Sequence, residues 1–263
     1  MEFKVLIDQM GFEVECPSSP QRIVSLVPSQ TELLFDLGLE DRIVGITKFC
    51  IHPKDKVKQY TKIGGTKKFN FEKIKTLNPD LIIGNKEENY QEGIEKLRKN
   101  YPVWMSDIVN LEDSMQMMKF VGQLTQTEDV TNRLISEIQN GFDQLLKPKK
   151  TKNALYFIWQ GPHIVAGSDT YISEMLPYAG FENLVKDTRY PELTDEQIKV
   201  YNPEYILLSS EPYPFKDKHI AAFQKLCPNA KVMLVDGEIF SWYGSRLRYA
   251  IAYFEKLAKN LQH

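Results

Sequence analysis

Short apolar runs alternate with amphipathic stretches along most of the chain. Apolar runs of this length, bounded by turn residues, are typical of strands, and apolar residues at helical spacing are typical of helices. The predicted strands are residues 22–27, 42–47, 81–83, 103–106, 154–159, 205–208 and 231–235. The predicted helices include residues 71–77, 90–99, 170–178, 219–226 and 246–261. This order predicts an α/β fold with mainly parallel sheets.

The segment 111–146 interrupts the alternation, because it contains no strand pattern. Apolar residues recur there at helical spacing, and we predict a long helix over 128–146. This helix is either part of a two-helix layer in one domain or a connection between two lobes. We favour the connection, because the alternation restarts directly afterwards. The predicted division is an N-terminal lobe (1–120, with a hairpin from 3–8 and 12–16), a connecting helix region (121–147) and a C-terminal lobe (148–263).

One pattern occurs twice. Glu72 opens a short amphipathic stretch that ends at Asn78-Pro79 before an apolar run, and an equivalent stretch opened by Glu196 ends at Asn202-Pro203. Each copy predicts a helix, a turn and a strand. Two similar lobes imply a cleft between them, and clefts are the usual location of ligand sites.

Two helix starts carry the spacing of a capping box, in which the first and fourth side chains bond each other's backbone amides. Ser29-Gln30-Thr31-Glu32 follows the first buried strand, and Thr194-Asp195-Glu196-Gln197 precedes the second copy of the repeat. Both predict a helix that begins at the serine or threonine.

Composition excludes several classes of protein. The chain has 263 residues, 42% hydrophobic and 26% charged, as in folded soluble proteins, and its net charge of −2 argues against a nucleic-acid partner. Cys16, Cys50 and Cys227 have the spacing of neither a disulfide framework nor a zinc site. The sequence contains no G-x-S-x-G, Walker A, G-x-G-x-x-G or H-E-x-x-H motif, so we do not expect an enzyme.

The first residues lack the basic start and apolar core of a signal peptide. The uncharged stretch 153–168 is interrupted by Gln160-Gly161-Pro162-His163 and does not have the pattern of a membrane span. We therefore expect a soluble protein, which is cytoplasmic if the sequence is complete.

Several short motifs, in this order and spacing, resemble those of the substrate-binding proteins of metal-chelate ABC importers. They are Pro20-Gln21-Arg22-Ile23-Val24-Ser25-Leu26, Ser29-Gln30-Thr31-Glu32, Asn78-Pro79-Asp80-Leu81-Ile82, and Asp236-Gly237 followed by Arg246. The similarity covers nearly all of the chain after the first hairpin and is greatest to the vitamin B12-binding group. Siderophore and haem binders share this fold.

The resemblance implies two α/β lobes joined by one long helix, with the ligand in the cleft between them. It also implies a periplasmic or cell-surface receptor without intrinsic cofactor that captures a metal chelate, expected to be a corrinoid such as cobalamin. The partner is a dimeric ABC permease, through which alone the protein meets the membrane, and we expect a monomer. The alternatives are ferric-siderophore or haem binding by the same fold, or a cytoplasmic enzyme or metallochaperone that handles tetrapyrroles or corrinoids.

In this family one glutamate of each lobe docks onto permease arginines, and Glu72 and Glu196 match those positions. A carboxylate near a helix N-terminus is favoured by the helix dipole and accepts paired bonds from arginine. The alternative is that each glutamate only complements the end of its own helix.

Loops that follow parallel strands are where α/β proteins bind ligands, and an aromatic wall suits a flat ring. His52 stands where the B12 group has a tyrosine before proline. Thr66 and Asn85 stand near the sequence positions at which that group has two cleft tryptophans. Loop aromatics can instead anchor loops to the core. The candidate ligand-binding residues are His52, Thr66, Asn85, Trp159, Tyr190, Trp242, Tyr243 and Arg246.

His52 is also the candidate metal ligand. A neutral imidazole in the cleft can coordinate the metal of a chelate axially, and Cys50 is close enough in sequence to assist. The alternative is that His52 bonds a turn before Pro53.

Overall fold

The computed structural model describes residues 2–145 and 150–261, which divide into two units. The N-terminal unit comprises residues 2–108, 112–139 and 243–246, and the C-terminal unit the remaining described residues. The structure confirms the predicted α/β class. The predicted boundaries of lobes and connecting region stay a prediction.

The N-terminal unit begins with an antiparallel hairpin of β1 (Phe3–Ile7) and β2 (Glu13–Pro17), as predicted. Its main sheet has five parallel strands in the order β5-β4-β3-β8-β9. Its remaining strands are β3 (Ile23–Ser25), β4 (Ile43–Ile46), β5 (Thr61–Lys62), β6 (Gly64–Gly65), β7 (Lys68–Phe69), β8 (Leu81–Asn85) and β9 (Val103–Ser106).

Helices follow the strands of this unit. They are α1 (Pro28–Asp36), α2 (Phe71–Leu77), α3 (Gln91–Arg98), α4 (Leu111–Thr125) and α5 (Glu128–Gln144), with 3₁₀ turns at Glu40–Arg42 and Val57–Gln59. The predicted long helix is therefore confirmed to Gln144, and its predicted last residue, Leu146, lies outside the described residues. The division between the units falls within α5, so residues 140–144 belong to the C-terminal unit.

The C-terminal unit has a six-stranded sheet in the order β13-β11-β10-β14-β15, with β12 also paired to β10. Its core strands β10, β14 and β15 are parallel. Strand β11 pairs antiparallel with β10, and β13 pairs antiparallel with β11. The strands are β10 (Lys152–Trp159), β11 (His163–Val165), β12 (Phe181–Asn183), β13 (Glu192–Leu193), β14 (Tyr205–Ser209) and β15 (Lys231–Val235). The helices are α6 (Tyr171–Met175), α7 (Asp195–Tyr201), α8 (Asp217–Leu226), α9 (Gly237–Ser241) and α10 (Leu247–Asn260), with 3₁₀ turns at Leu176–Ala179 and Gly244–Arg246.

The repeated segment has the same local structure in both units. Helices α2 and α7 end at Asn78 and Asn202, which adopt left-handed conformations with φ of 43° and 44°. Asparagine tolerates this conformation better than most residues and ends a helix there, and proline then prevents its continuation. The chain next enters β8 in one unit and β14 in the other.

The two predicted capping boxes have different outcomes. The box at Thr194 is present, with Thr194 and Gln197 bonding each other's backbone. The box at Ser29 was wrong, because α1 begins at Pro28 with no side-chain cap and Ser29 lies inside the helix. The Glu32 carboxylate is bound elsewhere, as described below.

Candidate functional site

The carboxyl edge of the N-terminal sheet is built on a buried network of polar side chains. Asn85 and Ser106 end the paired strands β8 and β9, and the Asn85 amide donates to the Ser106 hydroxyl (3.0 Å). The Asn85 side-chain oxygen accepts from the Glu87 and Glu88 amides (2.8 and 3.1 Å). The Asn89 side chain donates to the Thr66 carbonyl (3.1 Å), and this bond joins the loop that contains Thr66 to the network. The structure therefore brings Thr66 and Asn85 to one edge, but buries both side chains.

The loop after β4 reaches the same edge. Cys50 is buried, and its sulfur lies 3.1 Å from the Thr31 hydroxyl and 3.2 Å from that of Thr47. Burial raises the pKa of the Cys50 thiol, although the bonds from both threonines oppose this. Cys50 therefore anchors the loop, and His52, two residues further on, is half-buried.

Arg246 lies in a buried ion pair. Its Nε and Nη2 donate to the two oxygens of Glu32 at 2.7 and 2.9 Å. Burial raises the pKa of Glu32, while the Arg246 guanidinium and, more weakly, the His52 imidazole act in the opposite direction. The structure thus directs two N–H groups of Arg246 to the Glu32 carboxylate, on which the charge of His52 also acts. This pair also fixes the residues 243–246, where Tyr243 is buried.

The aromatic candidates of the C-terminal unit differ in exposure. Trp159 ends β10, is 39% exposed, and packs edge-on against Tyr213 at 5.4 Å between ring centroids. Tyr190 is half-buried beside Arg189, whose guanidinium carbon lies 6.0 Å from the ring centroid. Trp242 is buried, and its indole N–H donates to Glu211 at 2.7 Å. Trp159 and Tyr190 are therefore accessible, whereas Trp242 has the contacts of a loop anchor.

Glu72 and Glu196 are exposed at the first turns of α2 and α7. Hydrogen bonds from its own backbone N–H and from the Thr194 side chain hold the pKa of Glu196 below its ordinary value. The neighbouring Asp195 is instead paired with His163, whose Nε2 lies 3.2 Å away. Glu196 is therefore an exposed carboxylate at the first turn of α7, at the surface of its unit.

A depression of about 360 Å³ lies beside this helix. Asp195, Lys199, His163 and Phe223 are among the residues that line it, and none of the predicted ligand-binding residues does.

No cluster of three or more histidine, cysteine, aspartate or glutamate side chains is arranged to hold a metal ion within residues 2–145 and 150–261. In the same part of the chain, no helix combines the length and the hydropathy needed to span a membrane.

Three features of these edges were not predicted from the sequence. Phe49 and Ile51 were not singled out, and they are exposed on either side of buried Cys50. Apolar residues on both sides of a cysteine, shortly after a strand, were a local signal that could have identified them. The partners Glu32 for Arg246 and Glu211 for Trp242 left no local signal.

A family model described as periplasmic binding protein matches residues 23–226. An ABC transporter substrate-binding lipoprotein of Bacillus subtilis, YvrC, is 28% identical over 218 residues, covering 78% of this chain and 69% of the relative. The vitamin B12-binding protein of Pectobacterium carotovorum is 25% identical over 239 residues, covering 88% of this chain and 86% of the relative. These sequences extend the similarity over most of both chains.

Solved structures share the fold. The petrobactin-binding protein YclQ of Bacillus subtilis aligns with a TM-score of 0.82 at 18% identity, over 98% of this chain and 99% of its own. The haem-binding protein BhuT, in complex with two haems, aligns with a TM-score of 0.78 at 21% identity, over 93% of this chain and 100% of its own. At these identities the likeness concerns the fold alone.

Proposed function

The chain belongs to the periplasmic binding protein family, and we propose that it is the non-catalytic receptor of an ABC importer that captures a metal chelate. The family match over residues 23–226 is the observation that carries this proposal. The relatives named as vitamin B12-binding proteins support a corrinoid as the ligand. Haem and ferric siderophores are the alternatives, supported by what the structural neighbours are named to bind.

The proposed ligand contacts are the accessible candidates of the two units. His52 contributes an imidazole in the N-terminal unit, and Trp159 and Tyr190 contribute aromatic surface in the C-terminal unit. Apolar and aromatic side chains with few polar groups are what binding sites for bulky ring ligands require. The side chains of Thr66, Asn85 and Arg246 are buried, and we assign them the support of the loops rather than contact with the ligand.

A binding screen tests this function. The three tryptophans permit titration by intrinsic fluorescence, with calorimetry as the second readout, against cobalamin, cobinamide, haem and ferric siderophores. We expect dissociation constants of about 1 μM or below for one chemical class. Failure of all four ligands to bind would refute chelate capture.

We further propose that Glu72 and Glu196 contact arginines of the permease. Both carboxylates are exposed, and each lies in the first turn of the equivalent helix of its unit. The double variant Glu72→Ala/Glu196→Ala should bind the chelate normally but lose association with the permease and transport. Glu13→Ala/Glu192→Ala is the matched control, because these glutamates are also exposed, one in each unit. Normal transport by the first variant would disprove docking through these residues.

A further inference from the structure

Phe49 and Ile51 form an exposed apolar surface at the carboxyl edge of the N-terminal sheet. Their side chains are 50% and 44% exposed, although large apolar side chains are usually covered. Cys50 between them is held by Thr31 and Thr47, so the loop is anchored at its centre. The outward direction of both side chains is therefore fixed by the fold.

The adjacent glycine turn supports this surface. The Lys48 amide donates to the Gly64 carbonyl (2.8 Å), and Gly64 has a φ of +110°, which favours glycine. A Cβ on Gly65 would lie 3.2 Å from Phe49 Cε2 and 3.6 Å from Lys48 Cε. The absence of a side chain at Gly65 thus lets both residues lie against the turn.

Lys48 adds a positive charge to this surface. Its Nζ lies 4.9 Å from the centroid of the Phe49 ring. No salt bridge of Lys48 occurs among residues 2–145 and 150–261. Lys67, on the other side of the turn, donates instead to the Glu87 carbonyl and lies near Glu88. Lys48 is therefore an exposed cation beside the Phe49 ring that an incoming ligand can reach.

We propose that Phe49 and Ile51 contact the apolar ring of the chelate, and that Lys48 pairs with an anionic group on its rim. An apolar surface beside one ammonium group complements a flat ring with a carboxylate or phosphodiester substituent. This inference rests on the proposed function, which it extends to the charge of the ligand. The carboxylates of a porphyrin and the phosphodiester of cobalamin offer the same chemistry, and the experiment distinguishes them.

Two ligand pairs test the anionic group. Haem and its dimethyl ester differ only at the two carboxylates, whereas cobinamide lacks the phosphodiester of cobalamin together with the attached ribose and benzimidazole. We expect Lys48→Gln to weaken the binding of the member that carries the anionic group by about fivefold in one pair, as for a partly exposed ion pair, and that of the member without this group by less than twofold. Phe49→Ala should weaken both members of that pair by about tenfold, because it removes the ring contact.

Matched controls define the outcome. Lys58→Gln removes a lysine that precedes β5, at the opposite edge of the sheet, and Phe3→Ala removes an equally exposed phenylalanine from the first hairpin. Neither should change affinity, and the thermal melts of all four variants should match the unmodified protein. If Lys48→Gln weakens both members of a pair equally, or neither, the anion contact is refuted while chelate capture stands. If none of these four ligands binds the unmodified protein, the anion contact is refuted, and chelate capture fails as well only if ferric siderophores do not bind either.

Discussion

The Glu32–Arg246 pair gives the sharpest stability prediction. Both side chains are about nine-tenths buried, and the guanidinium binds both carboxylate oxygens. Arg246→Met keeps the apolar stem but leaves the Glu32 carboxylate buried without a partner. Removing one member of a buried pair costs about 3–5 kcal/mol, and the remaining solvent contact favours the lower end, about 3 kcal/mol. For a protein of this size, that corresponds to a loss of about 6–12 °C in Tm.

Thermal melts of a double-mutant cycle test the coupling. Glu32→Leu/Arg246→Met replaces both charges by apolar groups, so we expect it to regain most of the loss and melt within about 4 °C of the unmodified protein. Lys152→Met is the contrast, because it breaks an exposed, solvent-screened pair with Glu204 and should leave the Tm nearly unchanged. Single variants that cost less than about 1 kcal/mol, or a double variant equal to their sum, would refute the reasoning. A loss of chelate affinity at unchanged Tm in Arg246→Met would show that Arg246 contacts the ligand.

Other predictions concern the repeat, the thiols and His52. Asn78→Ala and Asn202→Ala should each lower stability by about 1 kcal/mol in urea titrations, because alanine is strained at their positive φ, whereas glycine at either position should cost less. Cys16 and Cys50 are buried and burial raises the pKa of both thiols, so they should react with a thiol reagent only after unfolding; rapid labelling of the native protein would contradict the burial. If His52 ligates the metal, His52→Ala should shift the visible spectrum of the bound chelate, and an unchanged spectrum would exclude ligation.

The framework of both sheets followed from the sequence because its signals are local. Strands β3, β8 and β14 are short apolar runs buried on both faces, and each is bounded by residues that end a helix or a turn. The Asn-Pro pair marks its turn twice, since left-handed asparagine and proline both act within a few residues. By contrast, β11 and β13 were not predicted, because two or three residues are too few to show a period.

The failed capping box at Ser29 has a long-range cause. Local spacing placed Glu32 on the first turn of α1, where it could bond the helix amides. In the structure, its oxygens accept from Arg246, which is 214 positions away in the chain. Two hydrogen bonds from a charged guanidinium are stronger than a bond from a neutral backbone amide, so the distant interaction prevails over the local one. A pattern of four residues contains no information about such a partner.

Burial separates the candidate residues into two physical roles. A ligand can contact only what solvent can reach, so His52 and Trp159 meet that condition, whereas Asn85 and Trp242 do not. The buried side chains use their polar atoms on loop backbone or on a neighbouring carboxylate, which holds the loops in one conformation. A rigid loop loses less entropy when a ligand binds, so these residues contribute to affinity without contact. The loop anchored by Cys50 presents Phe49 in this way, so the exposed Phe49, rather than the buried Trp242, is the candidate for a ring contact.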